Sequence, residues 1–166
     1  AGNYLGLAWL YEAIGDEESA LRAAREAIEV HPNYPRALVT LAQLQETHRT
    51  HAEALETWRA LEEVYQSPVG RYEAVDEVTD FSYAHGWVAL GREAEREGEL
   101  EAARDYYQRA AELAEEFARL HREREEIRRA LGTWDEREVR EAERVKAEAE
   151  AGIRRIQRRA DRRDAP

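Results

Sequence analysis

The sequence predicts an all-α fold, a solenoid of three helix pairs followed by a long C-terminal helical hairpin. Three observations lead there. Apolar residues recur three and four positions apart, the period of one face of an α-helix. The pattern repeats after 34 residues and again after a further 49. Beyond the third copy it becomes a sustained alternation of three and four, interrupted at Gly132-Thr133.

Tyr4, Leu7, Ala8 and Tyr11, at i, i+3, i+4 and i+7, predict the first helix. Gly15-Asp16 interrupts it; Asp16 is suited to cap a second helix, and Glu17 and Glu18 suit that helix's positive N-terminal end. Ala20, Ala24 and Ala27 are small enough to let two helices approach closely. Pro32 then breaks the hydrogen-bond ladder and Pro35 opens the next helix. In the second copy Leu38, Leu41, Ala42 and Gln45 form the first face, Ala54, Trp58 and Leu61 the second, and Pro68 lies just beyond. In the third, Trp87, Leu90, Gly91 and Ala94 are followed by a turn at Gly98 and then by Ala103, Tyr107 and Ala110. A glycine inside a helix costs about 1 kcal/mol relative to alanine. Gly91 is the counterpart of Ala8 and Ala42, so it predicts a facing helix too close for a side chain.

Residues 69–83 are an insertion between the second and third copies. Tyr72, Val75, Val78 or Thr79, and Ser82 have helical spacing, and Gly70 allows a bend, so extra helical turns are expected there. A fourth copy fails, because its faces would hold His121, Arg124, Glu125 and Arg128, then Arg137, Glu141 and Arg144. A heptad seam appears instead through Ala103, Tyr106, Ala110, Leu113, Phe117, Leu120, Arg124, Ile127 and Leu131, which predicts one helix running to Gly132. Thr133 and Glu136 form a capping box for a last helix, whose seam is Val139, Ala142, Lys146, Ala149, Ile153, Ile156 and Ala160. The two should fold back as an antiparallel pair, with Ile127 and Leu131 on Val139, and Phe117 and Leu120 on Lys146 and Ala149.

Trp87-x2-Leu90-Gly91-x2-Ala94 with Ala103-x3-Tyr107-x2-Ala110, and Leu7-Ala8-x2-Tyr11 with Gly15, Ala20, Ala27 and Pro32, resemble the signature of the tetratricopeptide repeat (TPR) family. The second copy departs from it, with Gln45 for an aromatic and Arg49 for the turn glycine. The resemblance covers residues 2–68 and 84–115. It implies a right-handed superhelical array of three TPR-like helix pairs over residues 1–115. Residues 116–166 would then extend the last repeat helix and add a capping helix with an Arg-rich end. It also implies a concave inner face that binds extended or helical peptides. The positions lining that face are Leu5, Trp9 and Glu12; Arg36, Val39, Gln43 and Glu46; and His85, Val88, Arg92 and Arg96. The chaperone-binding members of the family clamp a C-terminal carboxylate with lysine and asparagine. Leu5, Trp9 and Ala89 stand at the equivalent sites here, so that specificity is not expected.

Composition narrows the function. Charged residues make up 37% of 166, and the net charge of −11 disfavours nucleic acid and anionic membrane as partners over most of the surface. Residues 151–166 are the exception, with six arginines against two aspartates. That cluster sits where a helix C-terminus attracts cations, and no aromatic interleaves it for base stacking. Without cysteine there is no disulfide framework or thiolate zinc site. No apolar run reaches the length of a membrane span. The chain opens on Ala1 and contains no methionine, which reads as a fragment or processed product. His48 and His51 could share a helical turn as metal ligands, but they sit at an expected solvated turn with no third ligand. No pair of glutamates is marked for acid-base work, and there is no phosphate loop, nucleophile elbow or dinucleotide fingerprint. The expectation is a non-catalytic scaffold for a protein or peptide, a monomer in preference to a homodimer, with no cofactor and no metal. Two alternatives stay open. One is an assembly element working through the C-terminal helices. The other is the soluble repeat-bearing tail of a larger bacterial membrane protein, such as an O-antigen ligase-type glycosyltransferase.

Overall fold

A computed structural model describes residues 2–48, 50–67, 82–132 and 134–163, which are helical with short connections and contain no strand. The described helices are α1 (Gly2–Ala13), α2 (Glu17–Val30), α3 (Pro35–Thr47), α4 (His51–Gln66), α5 (Ser82–Glu97), α6 (Leu100–Glu123), α7 (Glu125–Ala130) and α8 (Glu136–Arg163). They fall into two compact units, residues 1–73 and 74–166. The helical spacing expected within 69–81, Arg49, Pro68 and the capping box at Thr133 lie outside the described residues.

In the first unit α1 pairs with α2, α3 with α4, and α2 also packs on α3. Gly15 turns the chain with φ +78°, a left-handed conformation that favours glycine. Asp16 then caps α2 by accepting the Ser19 backbone N–H at 3.1 Å. Ala8, Ala20, Ala23 and Ala24 make a thin layer on which Leu41 and Leu44 seat, and a second cluster joins Leu5, Ala27 and Ala37. The second copy buries its expected faces, Leu38, Leu41 and Ala42 on α3 and Ala54, Trp58 and Leu61 on α4. Gln45 is buried where the repeat pattern wants an aromatic, its amide held by Thr57 at 2.8 Å and Glu53 at 3.4 Å. The first helix is rotated from its expected face: Leu5 and Ala8 are buried, whereas Leu7 is exposed. Leu5 packs with Ala27 of α2 and Ala37 of α3, small residues that draw its side of α1 inward.

In the second unit α5 pairs with α6, and α8 lies back along α6 while also touching α5. Contacts of α6 with α8 run in opposite order along the two helices, from Glu138 on His121 through Lys146 on Glu115 to Gly152 on Tyr107, so the pair is antiparallel. Tyr107 is fully buried at the centre. A Cβ on Gly91 would fall 2.9 Å from one edge of its ring, and a Cβ on Gly152 2.5 Å from the other. The facing helix expected at Gly91 is therefore α6. The Tyr107 hydroxyl donates to Glu95 at 3.1 Å, and Arg155 and Arg159 of α8 close on the same carboxylate at 3.0 and 3.4 Å.

The hairpin differs from expectation at its closed end. The long helix stops at Glu123, Arg124 is a break, and the short α7 follows. Ile127 and Leu131 are 63% and 70% exposed and do not meet Val139. Continuing the seam past His121 would carry Arg124 inward, and burying an unpaired guanidinium costs more than two apolar contacts return. The buried seam of α6 is Ala103, Tyr107, Ala110, Ala114, Phe117 and His121, which leaves Tyr106, Leu113 and Leu120 along its edge. On α8 the buried positions are Val139, Ala142, Val145, Ala149, Gly152 and Ile156, with Lys146, Ile153 and Ala160 half-buried at the margin. Asp135 caps α8, accepting the Arg137 N–H at 2.9 Å.

Two stability predictions follow from this packing. Gly152→Ala and Gly91→Leu should each lower stability by about 1–3 kcal/mol, because the ring has no free side to retreat to. For Gly152→Ala the overpacking must also exceed the helix-propensity gain of about 1 kcal/mol. Thermal melts measure both, and a midpoint that rises in Gly152→Ala would contradict the packing of Tyr107. Phe117→Ala should cost about 3–5 kcal/mol as a core truncation. Leu131→Ser, at an exposed position, should stay within about 0.5 kcal/mol of the parent. Equal losses from the two in chemical denaturation would restore the longer seam.

Candidate functional site

In each unit the outward side of the first helices divides into side chains already engaged within the chain and side chains open to solvent. In the first unit Leu5 and Val39 are buried, so they back the face and are not available to a ligand. Glu12 Oε2 lies 3.2 Å from His48 Nε2, and the other ring nitrogen is 3.2 Å from Glu17. His48 thus clasps the first helix pair to α3, and the solvated turn expected at this residue is corrected: both ring nitrogens face acids. A neutral imidazole has one N–H and can donate to just one of those two carboxylates. Glu46 accepts the Trp58 indole N–H at 3.0 Å. Arg36 and Gln43 are exposed on α3, and the Trp9 side chain on α1 is 54% exposed.

In the second unit Val88 is buried. His85 lies 3.8 Å from Glu141, and Arg92 pairs with Glu148 at 3.3 Å, both acids supplied by α8. Arg96 pairs with Glu93 on its own helix. The last helix thus meets the basic side of α5 with carboxylates, a neutralisation that the spacing of α5 alone does not reveal.

Glu95 was absent from the expected set. It stands at the register of Glu46, 49 residues on, and each accepts from an aromatic 12 positions later, Trp58 or Tyr107. That doubled Glu-to-aromatic spacing was visible in the sequence. Hydrogen bonding from Arg155 holds the Glu95 carboxyl below the usual carboxylate range against the opposing effect of burial. Burial, and next the Glu95 charge, push the Tyr107 hydroxyl up to about 12. The pair therefore stays as carboxylate and phenol at neutral pH, a structural bond between α5, α6 and α8.

The C-terminal arginines are spoken for in a similar way. Arg155 and Arg159 hold Glu95, Arg154 lies 3.6 Å from Glu150, and Arg158 and Arg162 donate to carbonyls one turn back. Among the described residues no group of three or more His, Asp or Glu is placed to hold a metal ion. His51, at the start of α4, is exposed. No described helix is long and apolar enough to cross a membrane.

Comparison with known proteins accords with this arrangement. Models of the tetratricopeptide repeat match residues 1–44 and 84–117, one segment in each unit. The crystal structure of MamA protein is similar, with a TM-score of 0.50 and 19% identity over 93% of this chain and 75% of that one; the likeness is one of fold. The curated proteins give no match. With helix pairs, turn glycines and both matched segments in agreement, residues 1–44 and 84–117 are tetratricopeptide repeats, and the general role they support is that of a protein-interaction scaffold.

Proposed function

We infer that the scaffold is non-catalytic and takes a peptide or protein segment on the face formed by α1 and α3, the first helices of the pairs in its first unit. The observation that carries this is Trp9. Its indole is more than half exposed on a helix whose neighbouring positions Leu5 and Ala8 are sealed in the core. A large aromatic held rigidly by a buried helix is the kind of anchor that dominates interface energetics. Gln43 stands at the Trp9 register of α3 and Arg36 two turns before it, both exposed, so polar groups accompany the anchor. Glu12 and Glu46 bind within the chain, and Leu5 and Val39 supply the floor. A ligand with an apolar anchor and acidic groups fits Trp9 and the exposed cations best. At a net charge of −11 the rest of the surface repels nucleic acid.

The assembly reading has less support. Ile156, on the seam of the last helix, is buried within the second unit, and Ile153 is half-buried. That favours a monomer, with the last helix consumed by its own chain.

Screening a peptide array with the parent protein, and then titrating the best binder, tests the reading. Trp9→Ala should weaken binding about tenfold or more, the loss expected of an aromatic hot spot. Arg36→Ala should weaken acidic ligands and leave neutral ones unchanged. Tight binding that survives both substitutions would move the site off this face. Sedimentation equilibrium should return the mass of one chain, and a dimer that dissociates on truncation after Glu150 would promote the assembly reading.

A further inference from the structure

The closed end of the hairpin holds a histidine that the scaffold role does not use. His121, on the last turn of α6, is 2% exposed and stacks on Phe117 one turn earlier, with ring centroids 3.8 Å apart. Its Nε2 lies 3.2 Å from Glu138 Oε2, on the first turn of α8. The same carboxylate oxygen is 3.8 Å from Arg128 Nη1, on α7. The Phe117 backbone also hydrogen-bonds the ring. One position along α6, Arg122 pairs with Glu143 of α8. Three helices therefore meet on a single carboxylate.

With the ring neutral, His121 has one N–H, which in the Nε2–H tautomer donates to Glu138 and leaves the Phe117 carbonyl without it, while Arg128 supplies the charge that balances Glu138. An imidazolium in the same place is a second cation against one carboxylate, sealed from water beneath Phe117. Burial, and next the charge of Arg128, hold the His121 pKa below its ordinary value; Glu138 and the Phe117 backbone act in the opposite sense and are outweighed.

We propose that this junction is a pH-sensitive latch, in which protonation of His121 releases α7 and the first turn of α8 from α6 while the Tyr107 end stays closed. The two ends differ in chemistry. At the Tyr107 end the phenol is pushed up to about 12 and Glu95 is held low, so neither changes charge near neutral pH. At the His121 end the released state takes up a proton in the ordinary histidine range, near about 6.5, and the latched state does so only at lower pH. Latching is thus complete above that range and weakens as the pH falls through it, because the released state binds more protons there. Release would uncover Phe117 and Val139 beside Ile127 and Leu131, which are already exposed, and so create an apolar patch only on acidification.

Hydrogen–deuterium exchange of the whole chain at about pH 7.5 and about pH 5.5, corrected for intrinsic rates, spans the window in which histidine titrates. Peptides covering residues 118–142 should lose protection several-fold at the lower pH, while those around Gly91 and Gly152 hold theirs. In His121→Gln the side chain still donates to Glu138 but cannot titrate, so the acid response should vanish. In Arg128→Gln the imidazolium would have Glu138 to itself, and the response should shrink. Unchanged protection in the parent, or an equal acid response in His121→Gln, would overturn the latch. If His121→Gln fails to fold, the His121 ring resonance in the parent decides. A titration midpoint at or above that of a free histidine contradicts the proposal, and a lower one sustains it.

Discussion

Tyr107 is gripped at both edges of its ring by glycines from different helices, and the second unit depends on that ring having nowhere to go. Gly91 lets α5 close on one side and Gly152 lets α8 close on the other. Two glycines in helix interiors carry a propensity cost of about 1 kcal/mol each. A fully buried aromatic reached from both sides offsets it, since dispersion contacts accumulate over the whole ring. The hydroxyl then completes the joint through Glu95 and the two arginines of α8. Packing and polar satisfaction thus converge on one residue.

The same device recurs in reduced form in the first unit. Trp58 stands where Tyr107 stands and donates its indole N–H to Glu46 as Tyr107 donates its hydroxyl to Glu95. In the first helix pair the corresponding position is Ala24, which has no donor, and Glu12 turns to His48 of the following pair instead. A carboxylate at a fixed register on the first helix of each pair is thus a tie, made with whatever donor the sequence supplies. This is why glutamates that look like ligand contacts on a repeat template are structural in this protein.

The helix pairs, their turn glycines and the close approach at Gly91 were legible because each follows from local spacing. Asp16 and Pro35 punctuate where capping and ladder chemistry require. What spacing could not supply was the choice between neighbouring seams on α6. Tyr106, Leu113 and Leu120 are as apolar as the residues beside them, and the decision rests on Gly152, on a different helix far along the chain. The rotation of α1 has a similar origin, set by Ala27 and Ala37 and not by anything within α1. The break at Arg124 could be argued from the one arginine in the seam, but His121 could not. As a polar residue it counted against packing, and only its stack on Phe117 and its tie to Glu138 make it a core residue. Of the candidate face, the buried floor and the internal ties became distinguishable from open positions only once burial and partners were known.

The charge distribution acquires a different meaning in this light. Read along the sequence, the arginines of the last helix are a basic tail on an acidic chain. In the fold their charge is largely spent: two neutralise Glu95, one faces Glu150, and others lie against backbone carbonyls of their own helix. The acids of α8 are met in turn by His85 and Arg92 of α5 and by Arg122 of α6, and Lys146 of α8 pairs with Glu115 of α6. A helix that meets both neighbours with matched charge needs no further partner to be stable. The proposed recognition face rests instead on a side chain that is held but not matched: on α1 the Trp9 indole is 54% exposed and, among the described residues, has no ring or hydrogen-bond partner.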